Sequence, residues 1–189
     1  MNNERIMGVI TLKAPVYREI ADDLAGTQGA AIVFIVATLI SGFFNRLVTS
    51  TGIHIGSAIV GAIGAVIVGL IGWVFTSWVL SFVAAQLGGR TNTSEMLRVT
   101  GYVAVFNVIS VLNILKIIPL LGWLAGVITF VVWVLSLIGY IIGVREAAEF
   151  STTNAVITAI VAVVVNFVIV VLIGGAIIGG LIGLFFLVR

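Results

Sequence analysis

The strongest constraint on this chain is the run from Gly56 to Leu87, which contains no Asp, Glu, Lys or Arg. As an α-helix, rising about 1.5 Å per residue, it reaches roughly 48 Å, more than the ~30 Å hydrocarbon core of a bilayer. A helix that is apolar all round has to be buried in a large core or in lipid. The excess length is accommodated by tilting, by projecting beyond the bilayer or by packing inside a bundle. Four further uncharged runs, 29–44, 101–115, 120–144 and 155–188, show that this one is no exception. Only 8% of the 189 residues are charged and 61% are hydrophobic, whereas about a quarter of a soluble domain is charged. The expected fold is an all-α polytopic membrane protein, a bundle of five transmembrane helices with spans at about 29–45, 56–87, 100–116, 120–144 and 155–188. The last run reads as one long helix, although Gly174, Gly175, Gly179 and Gly180 allow it to break and fold back.

Charges cost about 2.5–3.5 kcal/mol at the centre of a span, so their positions outline the loops. Residues 1–27 read as a cytoplasmic tail ahead of the five-span domain at 28–189. Within the tail, Pro15 suits a first helical turn, and Val16, Ile20 and Leu24 follow at a spacing of four. This pattern predicts a short amphipathic helix lying at the membrane interface. Acidic Asp22 and Asp23 stand where a signal peptide would be basic, so no signal peptide is read. Gly88 and Gly89 stop the second span, and Asn92 with Glu95 three residues later resembles a capping box opening the next helix. Trp123 and Tyr140 suit interfacial positions near the ends of the fourth span.

Counting Lys and Arg in alternate loops sets the expected orientation. Arg5, Lys13, Arg18, Arg90, Arg98 and Arg145 fall on one side, and Arg46, Lys116 and Arg189 on the other. The positive-inside rule then puts the N-terminus in the cytoplasm and the C-terminus outside a cell membrane, inner or plasma. Glu4, Glu19, Asp22, Asp23, Glu95, Glu146 and Glu149 all fall on the cytoplasmic side, where Arg98 or Arg145 is placed to pair with Asp22, Asp23, Glu95 or Glu146.

Small residues recur at helical spacing, in Gly61, Ala65 and Gly69, in Gly139 and Gly143, and in Gly175, Gly179 and Gly183. In lipid, such stripes let helices approach closely, either within one chain or across a face shared with a second copy or another membrane protein. Asn107, Asn113 and Asn166 lie within or near the spans, where they line a polar path or make interhelical hydrogen bonds. The chemistry of catalysis is missing. There is no cysteine, and the single histidine, His54, has no carboxylate beside it in sequence. No serine has a base nearby, and no acid or lysine lies deep in a span. The sequence therefore predicts no enzyme, catalytic residue, cofactor or metal. Its sparse charges also exclude a nucleic-acid footprint.

Several segments carry a resemblance. Gly8 to Ile20 is similar to the approach to the first span in the Yip domain family of Ypt/Rab-interacting membrane proteins, and Asp23-Leu24-Ala25-Gly26 is similar to that family's Asp-Leu-x-Gly-Pro element. Gly88-Gly89-Arg90 followed by Glu95 to Tyr102 resembles its glycine-rich loop and Gly-Tyr motif, and Gly143 to Glu146 resembles the close of its fourth span. Thr27 stands where eukaryotic members have proline and Phe106 where many members have proline after Gly-Tyr, and the short tail makes the resemblance one to a prokaryotic member. It implies a protein that binds partners; eukaryotic members engage prenylated Rab GTPases and sister proteins of the family. Matched residue by residue, it implies a partner surface at Asp23, Leu24, Gly26, Arg90, Glu95, Arg98, Gly101 and Tyr102. The expected function is a non-enzymatic scaffold, or a partner-binding, membrane-organising protein of trafficking type. Its expected partners are the bilayer, a cytoplasmic protein and a second copy or another membrane protein. The alternative is a passive channel or small-solute transporter, for which Asn107, Asn113 and Asn166 are the candidates.

Overall fold

The computed structural model describes residues 3–49 and 52–187, with the side chains of 119 and 170–187 excepted. The chain forms a bundle of apolar helices. Two short helices come first, α1 (Asn3–Ile10) and α2 (Ala14–Asp22). The five long segments that follow are α3 (Thr27–Leu47), α4 (Ile55–Gln86), α5 (Thr93–Val103) continued by a 3₁₀ helix (Ala104–Ile117), α6 (Pro119–Ala148) and α7 (Thr152–Leu187). All five are long and apolar enough to cross a membrane, as the charge-free runs predict. Among the described residues the only sheet is a two-residue antiparallel ladder, β1 (Val48–Thr49) with β2 (Gly52–Ile53), between α3 and α4.

The helix ends follow from local sequence. At the end of α4, Gly88 adopts φ +82°, a left-handed conformation that costs glycine little. Its amide donates to Ala85 O at 3.2 Å, and the Gly89 amide reaches back to Ala84 O at 2.8 Å. These paired bonds close the last turn of α4 as a Schellman motif. The capping box opening α5 is complete: the Glu95 amide donates to Asn92 Oδ1 at 3.0 Å, and the Asn92 amide donates to Glu95 Oε2 at 3.2 Å.

The third span departs from a plain α-helix. From Ala104 to Ile117 it winds as a 3₁₀ helix of 14 residues, far beyond the usual three or four. Val105, Val108, Ile109, Val111 and Ile114 are β-branched, and Asn107, Ser110 and Asn113 compete for backbone bonds, so α-helical propensity is weak there. At about 2.0 Å per residue the segment extends roughly 28 Å, against about 21 Å if α-helical. The tighter winding lets a 25-residue span keep pace with its longer neighbour α4.

Close packing depends on glycine and aromatic side chains. An added Cβ at Gly42 would lie 2.6 Å from Ala65 Cβ and 2.7 Å from Gly61 O, so α3 and α4 approach backbone to backbone. Gly61 sits against Gly42 and Arg46, while Gly69 faces Phe34 and Thr38. Gly139 and Gly143 on α6 leave room for Tyr17 of α2, and Gly143 also for Val99 of α5. Gly175, Gly179 and Gly183 lie on α7 where side chains are outside the described residues. At the centre, Phe34 stacks on Trp73 with ring centroids 4.6 Å apart, and Trp73 Nε1 donates to Thr100 Oγ1 at 2.9 Å. Thr100 Oγ1 is shared with Ser77 Oγ at 3.1 Å and donates to Met96 O at 2.6 Å.

Candidate functional site

The carboxylates gather at one end of the bundle. Helices α1 and α2 form a cap across the start of α5 and the end of α6, held by arginines. Arg5 of α1 contacts Glu19 Oε1 at 2.9 Å and Asp23 Oδ2 at 2.5 Å. Arg18 of α2 contacts Asp22 Oδ2 at 2.9 Å, donates to Glu146 O at 2.9 Å and pairs with Glu149, the residue that caps α6. Arg145 pairs with Glu146, one of the carboxylates expected to take it. The Asp23 carboxylate is held below the usual range, chiefly by its hydrogen bond to Arg5, with burial working the other way. Arg5 is in turn held more firmly protonated, chiefly by Asp23. Burial pushes the Tyr17 phenol up, and its hydroxyl donates to Val9 O at 3.0 Å.

The predicted amphipathic helix is present as α2, and most of its apolar stripe is turned into the protein. Tyr17, Ile20 and Ala21 are fully buried, with α2 packed on α5 and α6. Val16 closes on Gly8 of α1, a helix that periodicity did not reveal. Leu24 falls beyond the end of α2 and is 87% exposed.

The eight residues matched to a partner surface divide into two groups. Arg98, Gly101 and Tyr102 are interior. Arg98 is 2% exposed and makes no ion pair among the described residues; its Nη2 donates to Ala21 O at 2.5 Å, tying the end of α2 to α5, while its Nε is buried without a partner among the described residues. Asp22 and Asp23, which it was expected to meet, are taken by Arg18 and Arg5. A Cβ on Gly101 would lie 2.7 Å from Trp73 Cζ2 and 2.9 Å from Ala30 O, so this glycine lets α5 seat against α3 and α4. Tyr102 is 2% exposed, with its hydroxyl over Gly29. Gly26 is buried against Asp23. Leu24 and Arg90 are exposed, and Asp23 and Glu95 are half-buried. Between the two groups lies a cavity of about 510 Å³ lined by Leu24, Thr27, Asn92, Thr93, Ser94 and Arg98.

The opposite end carries no acid among the described residues. There Asn113 Nδ2 donates to Asn45 Oδ1 at 2.7 Å, and Asn45 Nδ2 donates to Ser41 Oγ at 3.0 Å. Asn166 accepts from Thr76 Oγ1 at 3.0 Å, an interhelical bond joining α4 to α7, and donates to Ala162 O at 2.8 Å within α7. Asn107 is exposed, between two cavities of about 190 and 300 Å³ whose walls it shares. Sequence reading picked out these asparagines, took Ser110 and Ser136 only as serines without a base and Asn45 only as the end of a span, and did not single out Ser41. The spacing of Asn107, Ser110, Asn113 and Lys116 at intervals of three was the available signal.

The capped acidic end, the glycine-seated α5 and the five apolar spans bear on identity together with the comparisons. Neither the curated proteins nor the solved structures contain a match to the chain. The model of the Yip1 domain, however, matches residues 7–174, from inside α1 well into α7, and on that match the chain belongs to the Yip1 domain family of multi-pass membrane proteins.

Proposed function

We propose that the protein is a non-enzymatic membrane scaffold whose acidic end docks a protein partner on the cytoplasmic side of a cell membrane. The observation that carries this reading is the 510 Å³ cavity beside Leu24. Leu24 is a large apolar side chain left 87% exposed at the tip of a loop that is fixed on both sides. On one side Asp23 is clamped by Arg5; on the other α3 begins. An exposed apolar residue on a rigid, charged rim is the form of an interface anchor, in which an aromatic or aliphatic group fills a partner's pocket and polar groups surround it. Asn92, Thr93 and Ser94 line the same cavity, and the charged Arg90 and Glu95 flank them in the chain. Arg98, Gly101 and Tyr102 act from beneath, by holding α2 and α5 in register. The small-residue contacts of Gly61, Ala65 and Gly69 with α3 support a packing role within the chain for that stripe, which leaves a second copy to other surfaces.

A photo-crosslinking residue in place of Leu24, in the full chain in native membranes, tests the reading. It is expected to give a discrete protein adduct that is lost when Arg90→Glu reverses an exposed charge nearby. Adducts with lipid alone, or a protein adduct unchanged by Arg90→Glu, would reject it.

A further inference from the structure

The acid-free end holds a second feature that the scaffold reading does not use. A cleft of about 190 Å³ runs between α3, the 3₁₀ helix and α6, and its polar wall includes Ser41, Asn45, Asn107, Ser110, Asn113 and Ser136. None of its lining residues is charged. In a 3₁₀ helix residues three apart eclipse one another, so Asn107, Ser110 and Asn113 stand in one file along the segment. In an α-helix the same three would spiral off the face by about 60° per step. Ser110 is 6% exposed, and its Oγ has no hydrogen-bond partner among the described residues. Asn107 makes no side-chain hydrogen bond among the described residues and also lines the neighbouring 300 Å³ cavity, as does Ser136.

These facts point in one direction. Within the bilayer few partners reach a stranded polar group, and a buried hydroxyl left without one is costly. Ser110, with Asn107 beside it in the file, is therefore incomplete by itself next to a cavity several times the ~30 Å³ share of one water molecule, whereas Asn113 already donates to Asn45 and keeps its own Oδ1 for a further donor. An ion finds no opposite charge on the wall to replace its hydration. A hydrocarbon leaves Ser110 unpaired. We propose that this cleft is a binding site for an uncharged hydroxyl-bearing group, which pairs with Ser110, Asn107 and Asn113.

Two sources supply that chemistry. One is the free hydroxyl of a neutral glycerolipid entering from the bilayer; Trp133 lines the cleft and is 56% exposed, which joins the cleft to the lateral surface. The other is a soluble polyol.

The test uses the full chain in phosphatidylcholine nanodiscs with two probes: a photoactivatable dioleoylglycerol, and radiolabelled glycerol measured by equilibrium dialysis. One probe is expected to bind saturably. That binding is expected to fall about three- to twentyfold in Ser110→Ala, the range for loss of one hydrogen bond in a membrane interior. The thermal midpoint of Ser110→Ala is expected to equal or exceed that of the parent, because its hydroxyl has no partner in the fold. Binding of dioleoylglycerol alone, with adducts on 104–117 or 129–136, assigns the lipid source, and binding of glycerol alone assigns the soluble one. Saturable binding of neither probe overturns the proposal, as does binding that Ser110→Ala leaves unchanged. A midpoint that falls in parallel with binding also overturns it, because Ser110 would then be structural.

Discussion

At the acidic end, Arg5, Arg18 and Arg145 each lie against a carboxylate, and Arg98 spends a bond on the last turn of α2. At the acid-free end, Asn45 and Asn113 satisfy each other while Ser110 is stranded beside an open cleft. Both ends concentrate polar groups where a membrane bundle has few. One uses them to weld short helices into a cap, and the other leaves them facing a space. The difference shows that polarity in a span is informative only together with its pairing. Ion-paired groups are architecture, whereas a polar atom beside an open space and without a partner among the described residues, Ser110 Oγ at the acid-free end and Arg98 Nε at the acidic one, is an invitation to a ligand.

The largest test of the cap attacks its seat. Gly101→Val places a side chain against Trp73 and the Ala30 carbonyl, where backbone cannot yield. Overpacking of this kind costs about 1–3 kcal/mol or more. The expected result is loss of monodisperse protein on size exclusion, or a clearly lowered unfolding midpoint. Arg98→Met comes next. It keeps the bulk of the stem and removes the donor to Ala21 O, a loss of about 1–3 kcal/mol. Hydrogen exchange is expected to quicken in 3–23 and to stay unchanged in 104–117; equal quickening at both ends would deny that the two are separate. Thr100→Val removes the hydroxyl that joins Trp73, Ser77 and Met96. The expected destabilisation is about 1–2 kcal/mol, accompanied by a change in Trp73 fluorescence.

The smallest effect is that of pH. Because Arg5 holds the Asp23 carboxylate below its ordinary range, their contact contributes fully above the unfolded-state value near 3.8 and is lost as pH falls through the lowered one. Exchange in α1 is therefore expected to rise only in strong acid, and Asp23→Asn is expected to raise it already at neutral pH. The contact is partly exposed, so the effect is expected to be slight and to shrink further with salt.

Much of the fold was legible because its rules are one-dimensional. Charge-free runs locate spans, Gly88-Gly89 ends a helix, and Asn92 with Glu95 begins one. What escaped depended on tertiary context. The stripe of Val16, Ile20 and Leu24 shows an apolar face without saying whether lipid or protein covers it, and Tyr17, buried beside that stripe, was not counted in it. Helix α1 carries Met7 exposed and Arg5 turned inward, so it has no clean periodicity to read. The 3₁₀ winding of 104–117 hid behind an apolar run that fits either helix, although polar residues at a period of three were in view. For the site, the matched residues located the acidic end, but burial separates exposed Leu24 and Arg90 from interior Arg98, Gly101 and Tyr102. Sequence alone does not carry that division.

The central claim is that the acidic cap and the acid-free cleft face opposite aqueous compartments, with the cap in the cytoplasm. The measurement that tests it most directly is the reaction of single cysteines with an impermeant maleimide in sealed vesicles of known sidedness, using Leu24→Cys and Lys116→Cys in this cysteine-free chain. The account predicts that Leu24→Cys reacts only when the cytoplasmic face is outward, and Lys116→Cys only in the opposite orientation. Reaction of both from the same face, or of Leu24→Cys from the outer face alone, would contradict it.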